Sequence, residues 1–186
     1  IVLDDADLAQ HASEFVDATL QNNGQTCYLC TRILAPRTRY AEVVDTITDI
    51  VRSLRIGDAL DARTQVGPLV SERQRARVEG YVTKGRAAGG RVTTGGNRPA
   101  SLEYGFFHEP TVFADVSNND TIAREEIFGP VLAVIPYDTE QEAVAIANDS
   151  EFGLGGSVWS SDTARAASMA RRTSSAYRPP CRCWPC

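Results

Sequence analysis

Cys27 and Cys30 stand out chemically, the first preceded by Asn22-Asn23-Gly24-Gln25-Thr26. A thiolate is a strong nucleophile, and a turn between a helix and a strand displays a side chain on a fixed scaffold with one face open. Cys27 also suits the commoner fate of a free cysteine, a small buried hydrophobe. With Cys30 it forms a C-x-x-C, but redox pairs of that kind sit at a helix start after a strand, and here the order is reversed. Cys181, Cys183 and Cys186 complete enough thiolates for a zinc site. Cys181 and Cys183 are too close to count comfortably as independent ligands and no knuckle glycine accompanies them, so no metal site is expected. Five cysteines, an odd number distributed unevenly, do not make a disulfide framework and point to reduced thiols in the cytoplasm.

Other reactive side chains are fewer. Glu126 reads as a solvated loop carboxylate or an ion-pair partner of Arg124, and Phe128, before Gly129-Pro130, as an ordinary core aromatic. His11 reads as solvated on a helix, and His108 as a half-buried, satisfied residue. Gly95-Gly96 and Gly155-Gly156 do not open helices with the spacing that cradles phosphate. Asn23 and Gln25 read as turn residues only, and Asn148 as support for a loop.

These groups need elements to hold them. Residues 1–3 read as a short buried strand. Asp4 and Asp5 suit the start of a helix whose apolar stripe is Leu8, Ala12, Phe15, Val16 and Leu20. That helix should stop at Asn22-Asn23-Gly24, where left-handed backbone is tolerated. A strand over 31–35 closes at Pro36. Tyr40, Val43, Val44, Ile47, Ile50, Val51 and Leu54 make the clearest helical stripe. After a loop through Gly67-Pro68 a helix carries Val78, Tyr81 and Val82 on one face. Strands are expected over 91–94, 110–114, 131–136 and 157–159, and helices over 139–148 and 163–172. The alternation predicts an α/β layered fold with a mainly parallel sheet and flanking helices.

Bulk properties narrow the field. The 186 residues are 42% hydrophobic and 23% charged, with net charge −5, in the range of globular domains. Lys and Arg are scattered, so no nucleic acid or anionic membrane surface is expected as a partner. The absence of an initiator Met and of a signal-like start leads us to expect a stretch of a longer reading frame.

Asn22-Asn23-Gly24-Gln25-Thr26-Cys27 with Cys30-Thr31-Arg32 resembles the active-site cysteine segment of the aldehyde dehydrogenase superfamily. Glu125-Glu126-Ile127-Phe128-Gly129-Pro130-Val131 is similar to its second diagnostic block. Val66-Gly67-Pro68-Leu69-Val70-Ser71, and Ala147-Asn148 leading to Phe152-Gly153-Leu154, agree in order. The resemblance implies that Cys27 is the nucleophile, forming a thiohemiacetal and then a thioester, with its backbone N–H donating to the oxyanion. It implies that Glu126 holds the nicotinamide ribose, that Phe128 packs near the nicotinamide, that NAD or NADP is the cofactor and that a small aldehyde is the substrate. Intact family members are homo-oligomers. Measured against the family, the nucleotide-binding domain and the water-activating glutamate fall outside these 186 residues, so a non-catalytic remnant is the alternative expectation. Residues 1–172 read as the family's catalytic domain in part. Residues 173–186, rich in Cys and Pro, diverge as a shifted reading frame would.

Overall fold

A computed structural model of the chain describes residues 1–173. The elements are α1 (Ala12–Thr19), β1 (Arg32–Pro36), α2 (Tyr40–Arg52), α3 (Glu72–Ala87), β2 (Arg91–Thr94), β3 (Thr111–Ala114), α4 (Thr121–Arg124), β4 (Val131–Tyr137), α5 (Glu140–Asn148) and α6 (Thr163–Ala170). The divergent tail lies outside the described residues beyond Thr173.

The sheet has the order β1-β4-β3-β2. β4 is parallel to both β1 and β3, while β2 is antiparallel to β3, so the sheet is mixed and mostly parallel. Strand side chains alternate between faces, and this divides the core in two. Ile33, Ala35, Val112, Ala114, Leu132 and Val134 meet Phe15 of α1 and Val43, Val44, Ile47 and Val51 of α2. Leu34, Phe113, Val131, Ala133 and Ile135 meet Val78, Tyr81 and Val82 of α3, Ile122 of α4 and Ala143 of α5. Helices therefore cover both faces, as expected for strands this uniformly apolar.

Two expected strands shrink to single bridges. Val2 donates to the Leu34 carbonyl at 2.9 Å, and its neighbour Leu3 donates to the Trp159 carbonyl at 2.9 Å. Residues 1–3 and 157–159 thus extend the sheet beyond β1 through one Val2–Trp159 bridge.

The first helix departs from expectation at its start. It begins at Ala12 after His11, with no side-chain cap. Asp5 is drawn away instead: its carboxylate accepts from Ser160 Oγ at 2.8 Å, Ser161 Oγ at 2.7 Å and the Asp162 N–H at 3.2 Å. Arg165 adds ion pairs to Asp4 at 2.7 Å and to Asp5 at 3.3 Å. The carboxylate joins the chain's first turn to the start of α6, a tie more than 150 residues long in sequence.

The Ser161 hydrogen bond, with lesser help from Ser160 and Asp162, lowers the Asp5 pKa to about 2. An unfolded aspartate titrates near pH 4 (about 3.9), so this group's stabilisation is fully present above that pH and is lost as pH falls toward about 2. Melting midpoints measured from pH 5 to pH 2 should therefore fall less steeply in Asp5→Asn than in the parent. Parallel curves would remove Asp5 from the acid response.

His108 is more deeply placed than its sequence suggests, at 1% exposure. Its Nδ1 lies 2.9 Å from the Glu109 carbonyl, and its Nε2 has no partner among the described residues. Burial lowers its pKa and keeps the ring neutral. His11 is exposed, 3.9 Å from Glu14.

Candidate active site

The turn ahead of β1 is built from three successive left-handed residues, Asn22 (φ 51°), Asn23 (φ 58°) and Gly24 (φ 72°). Asparagine and glycine are the residues that accept this conformation most readily. The turn reverses the chain after α1 and leaves Cys27 exposed as a free thiol. Cys30 is half-buried, its N–H bonded to the Ala18 carbonyl at 2.9 Å. Among the described residues no group of three or more His, Cys, Asp or Glu side chains is placed to hold a metal.

The turn ahead of β4 is the second component. β1 and β4 are adjacent and parallel, with Arg32 opposite Ala133. Their amino-terminal approaches must then also be neighbours, although about a hundred residues separate them. Gly24 packs directly on the backbone of Gly129: a Cβ at Gly24 would lie 2.2 Å from the Gly129 oxygen. Cys27 and Glu126 accordingly line one solvent-open cleft of about 190 Å³. Its further walls include Leu29, Arg32, Arg124, Phe152 and Leu154. The cleft lies at the amino-terminal ends of the parallel strands, whereas ligands in open α/β sheets usually bind at the carboxyl ends.

The two adjacent glutamates have different duties. Glu125 accepts a 2.7 Å hydrogen bond from Tyr81 OH. Glu126 is exposed and makes no ion pair among the described residues. Arg124, its alternative partner by sequence, instead bonds Asp149 at 2.8 Å. A carboxylate open to the cleft is an acceptor suited to the paired hydroxyls of a ribose.

Phe128 is not a core aromatic. It is 36% exposed and does not line the cleft that Cys27 and Glu126 share. Its φ of 60° is uncommon for a bulky residue. Side chains of α3 hold the turn in that shape: Gln74 Nε2 donates to the Phe128 carbonyl at 2.6 Å, and Arg77 Nε donates to the Ile127 carbonyl at 3.2 Å. Such strain persists where surrounding contacts over-determine it, which is common at ligand sites. Gln74 and Arg77 are not singled out by the sequence reading, although their spacing on one helical face is a usable signal.

Asn23 and Gln25 exceed their reading as turn residues. Asn23 Oδ1 accepts from the Gly67 N–H at 2.7 Å, and its Nδ2 donates to the Pro68 carbonyl at 3.1 Å. Gln25 Oε1 accepts from the Val70 N–H at 3.0 Å. Asn148 supports a loop as expected, donating to the Arg172 carbonyl at 3.0 Å. No helix among the described residues is long and apolar enough to cross a membrane.

The sequence profile of the aldehyde dehydrogenase family matches residues 1–177. Geranial dehydrogenase of Castellaniella defragrans is 53% identical over 172 residues, covering 92% of this chain and 36% of that protein. The structure of a Mycobacterium tuberculosis aldehyde dehydrogenase complexed with NAD+ superposes with a TM-score of 0.90 at 53% identity, over 92% of this chain and 36% of its own. A mutant of aldehyde dehydrogenase C from Pseudomonas syringae, complexed with NAD+ and octanal, gives 0.88 at 42% identity, again over 92% and 36%. The chain spans about a third of the length of the relatives it matches.

Proposed function

We propose that this chain, which belongs to the aldehyde dehydrogenase family, carries the nucleophile and part of the cofactor site of an enzyme oxidising an aldehyde to a carboxylic acid. The observation that carries the reading is the shared cleft, with an exposed thiol and an open carboxylate on the lead-ins to two paired strands. The proposal takes residues 1–172 as part of the family's catalytic domain and leaves 173–186 apart as a divergent tail. The free thiols suit the reducing cytoplasm.

Cys27 Sγ adds to the aldehyde carbon and holds it as a thiohemiacetal. The same sulfur–carbon bond carries the acyl group as a thioester after oxidation, until water releases the acid. Covalent capture divides a difficult reaction into easier ones. The Cys27 N–H has no hydrogen-bond partner among the described residues, so it is free to donate to the oxygen that becomes anionic. Donors of this kind are worth about 3–4 kcal/mol where one has been removed.

Glu126 is the residue we assign to the ribose hydroxyls and Phe128 the one we assign to the nicotinamide end. When bound, the cofactor supplies a hydride acceptor. NAD+ in the M. tuberculosis and P. syringae relatives supports NAD here, with NADP the alternative. Octanal in the latter relative supports an aldehyde as substrate.

Aldehyde-dependent reduction of NAD by the full-length polypeptide tests the reading, and its absence across linear and aromatic aldehydes would overturn it. Glu126→Gln keeps shape but weakens charge-assisted acceptance, so KM for NAD should rise about tenfold. Alkylation of Cys27 by iodoacetamide should continue at the parent rate. An unchanged KM would remove Glu126 from the cofactor site.

A further inference from the structure

We infer that residues 66–71 and the start of α3 form one positioning brace for the reaction, and that Asn23 and Gln25 are the positioning residues through which it fixes Cys27. The inference rests on the reading of Cys27 as nucleophile and assigns a task to Val66-Gly67-Pro68-Leu69-Val70-Ser71, a block given none by the nucleophile and cofactor assignments.

Within the Cys27 turn Asn22 Nδ2 donates to the Gln25 carbonyl at 3.1 Å and the Gln25 N–H to the Asn22 carbonyl at 3.0 Å, while Gly24 rests on Gly129. The side chains of Asn23 and Gln25 add its tie to residues 67–70. Asn22 and Asn23 both stand in left-handed backbone, and Cys27 itself is exposed. Three hydrogen bonds from Asn23 and Gln25 fasten this turn to the backbone of Gly67, Pro68 and Val70. Asn23 is matched at both ends of its amide, so it specifies orientation as well as proximity.

The anchoring segment is itself fixed. Val66 is buried, and its N–H and carbonyl bond Arg55 and Gly57. Leu69 is buried and donates to the Phe106 carbonyl at 3.0 Å. Ser71 Oγ then caps α3 by accepting from the Gln74 N–H at 3.2 Å. From that first turn Gln74, and one turn later Arg77, reach the carbonyls of residues 126–128. One continuous stretch thus grips the Cys27 turn with its loop and the Glu126 turn with its helix. Reaction between a thiol and a carbon that must also face a cofactor is sensitive to such spacing, and a misplacement near 1 Å costs about a hundredfold.

The test uses Asn23→Gly, which accepts the left-handed backbone without strain and so removes only the clamp. In the full-length polypeptide kcat should fall about tenfold. KM for NAD should stay within about twofold, and iodoacetamide, which needs no alignment, should still label Cys27. Asn23→Asp keeps the acceptor for Gly67 and should recover part of the loss. Gln25→Ala, at a position that demands no special backbone, should lower kcat in the same manner, and the double variant should lose less than the product of the two. The inference is overturned if both single variants keep kcat within twofold, or if kcat falls only as Cys30 labelling rises, the sign of general loosening. Should Cys27→Ala retain activity, the nucleophile reading fails instead, whatever the Asn23 variants do.

Discussion

Cys27→Ala in the full-length polypeptide is expected to lower aldehyde oxidation by a factor of at least about 10⁴, with affinity for NAD unchanged. The magnitude follows from the role: removing a covalent nucleophile elsewhere costs about 10⁴–10⁶ in turnover, because the remaining groups cannot form the intermediate. Cofactor affinity should survive because the carbonyls of Glu126 and Phe128 are held by Arg77 and Gln74 of α3, independently of the thiol. Cys30 is the competing nucleophile, since it lines the same cleft. It is poorly suited to substitute: it is half-buried and its backbone is pinned to the end of α1 at 2.9 Å. The single-turnover rate and NAD titration of Cys27→Ala and Cys30→Ala, side by side, decide the matter. Loss of turnover in Cys30→Ala alone would transfer the role three residues along the chain.

Local motif is what proposes Cys27, Glu126 and Phe128 as site residues, but the arrangement that brings the first two into one cleft could not be read there. Apolar periodicity is a local property, so α2 could be drawn from its stripe, and β4 from a run of apolar residues all but one of which are buried. Strand order is set by which faces and edges fit in space, and nothing in residues 31–36 announces that they pair with 131–137. That pairing creates the cleft, because it lays the two turns together. The antiparallel placement of β2 is equally invisible, since four residues of strand carry no signal of direction. Asp5 shows the reverse error. An aspartate before an apolar stripe is a good cap by composition, yet two serine hydroxyls more than 150 residues away offered more hydrogen bonds than a helix start could. Asn23 and Gln25 were undervalued for the same reason: their partners are distant in sequence, and only a turn is visible nearby.

Gly24→Ala should be among the most destabilising single changes available outside the core, at about 3 kcal/mol, the sum of two separate costs. The first is conformational. A φ of 72° is neutral for glycine but costs an L-residue about 1–2 kcal/mol. The second is steric and larger than usual, because the methyl would sit 2.2 Å from the Gly129 oxygen and 2.7 Å from the Pro130 nitrogen. These are backbone atoms, and neither can rotate aside as a side chain would. Gly129 cannot retreat either, since a Cβ there would already lie 2.4 Å from Val78 of α3. The Pro130 carbonyl accepts from the Thr111 N–H at 2.8 Å, so moving the residue also breaks the lead-in to β3. For a chain of this size 3 kcal/mol lowers the melting midpoint by on the order of 10 °C. The displacement is aimed along the line that joins the Cys27 turn to the Glu126 turn, the two to which we assign nucleophile and cofactor contact. Activity of the folded fraction should therefore fall below the parent's, and Gly24→Ala should raise KM for NAD as well as lower kcat, unlike Asn23→Gly. Calorimetry with steady-state kinetics below the transition checks both parts. A variant that melts within about 2 °C of the parent would mean that the two turns are not in backbone contact. The shared cleft would then have to be rebuilt from a different packing.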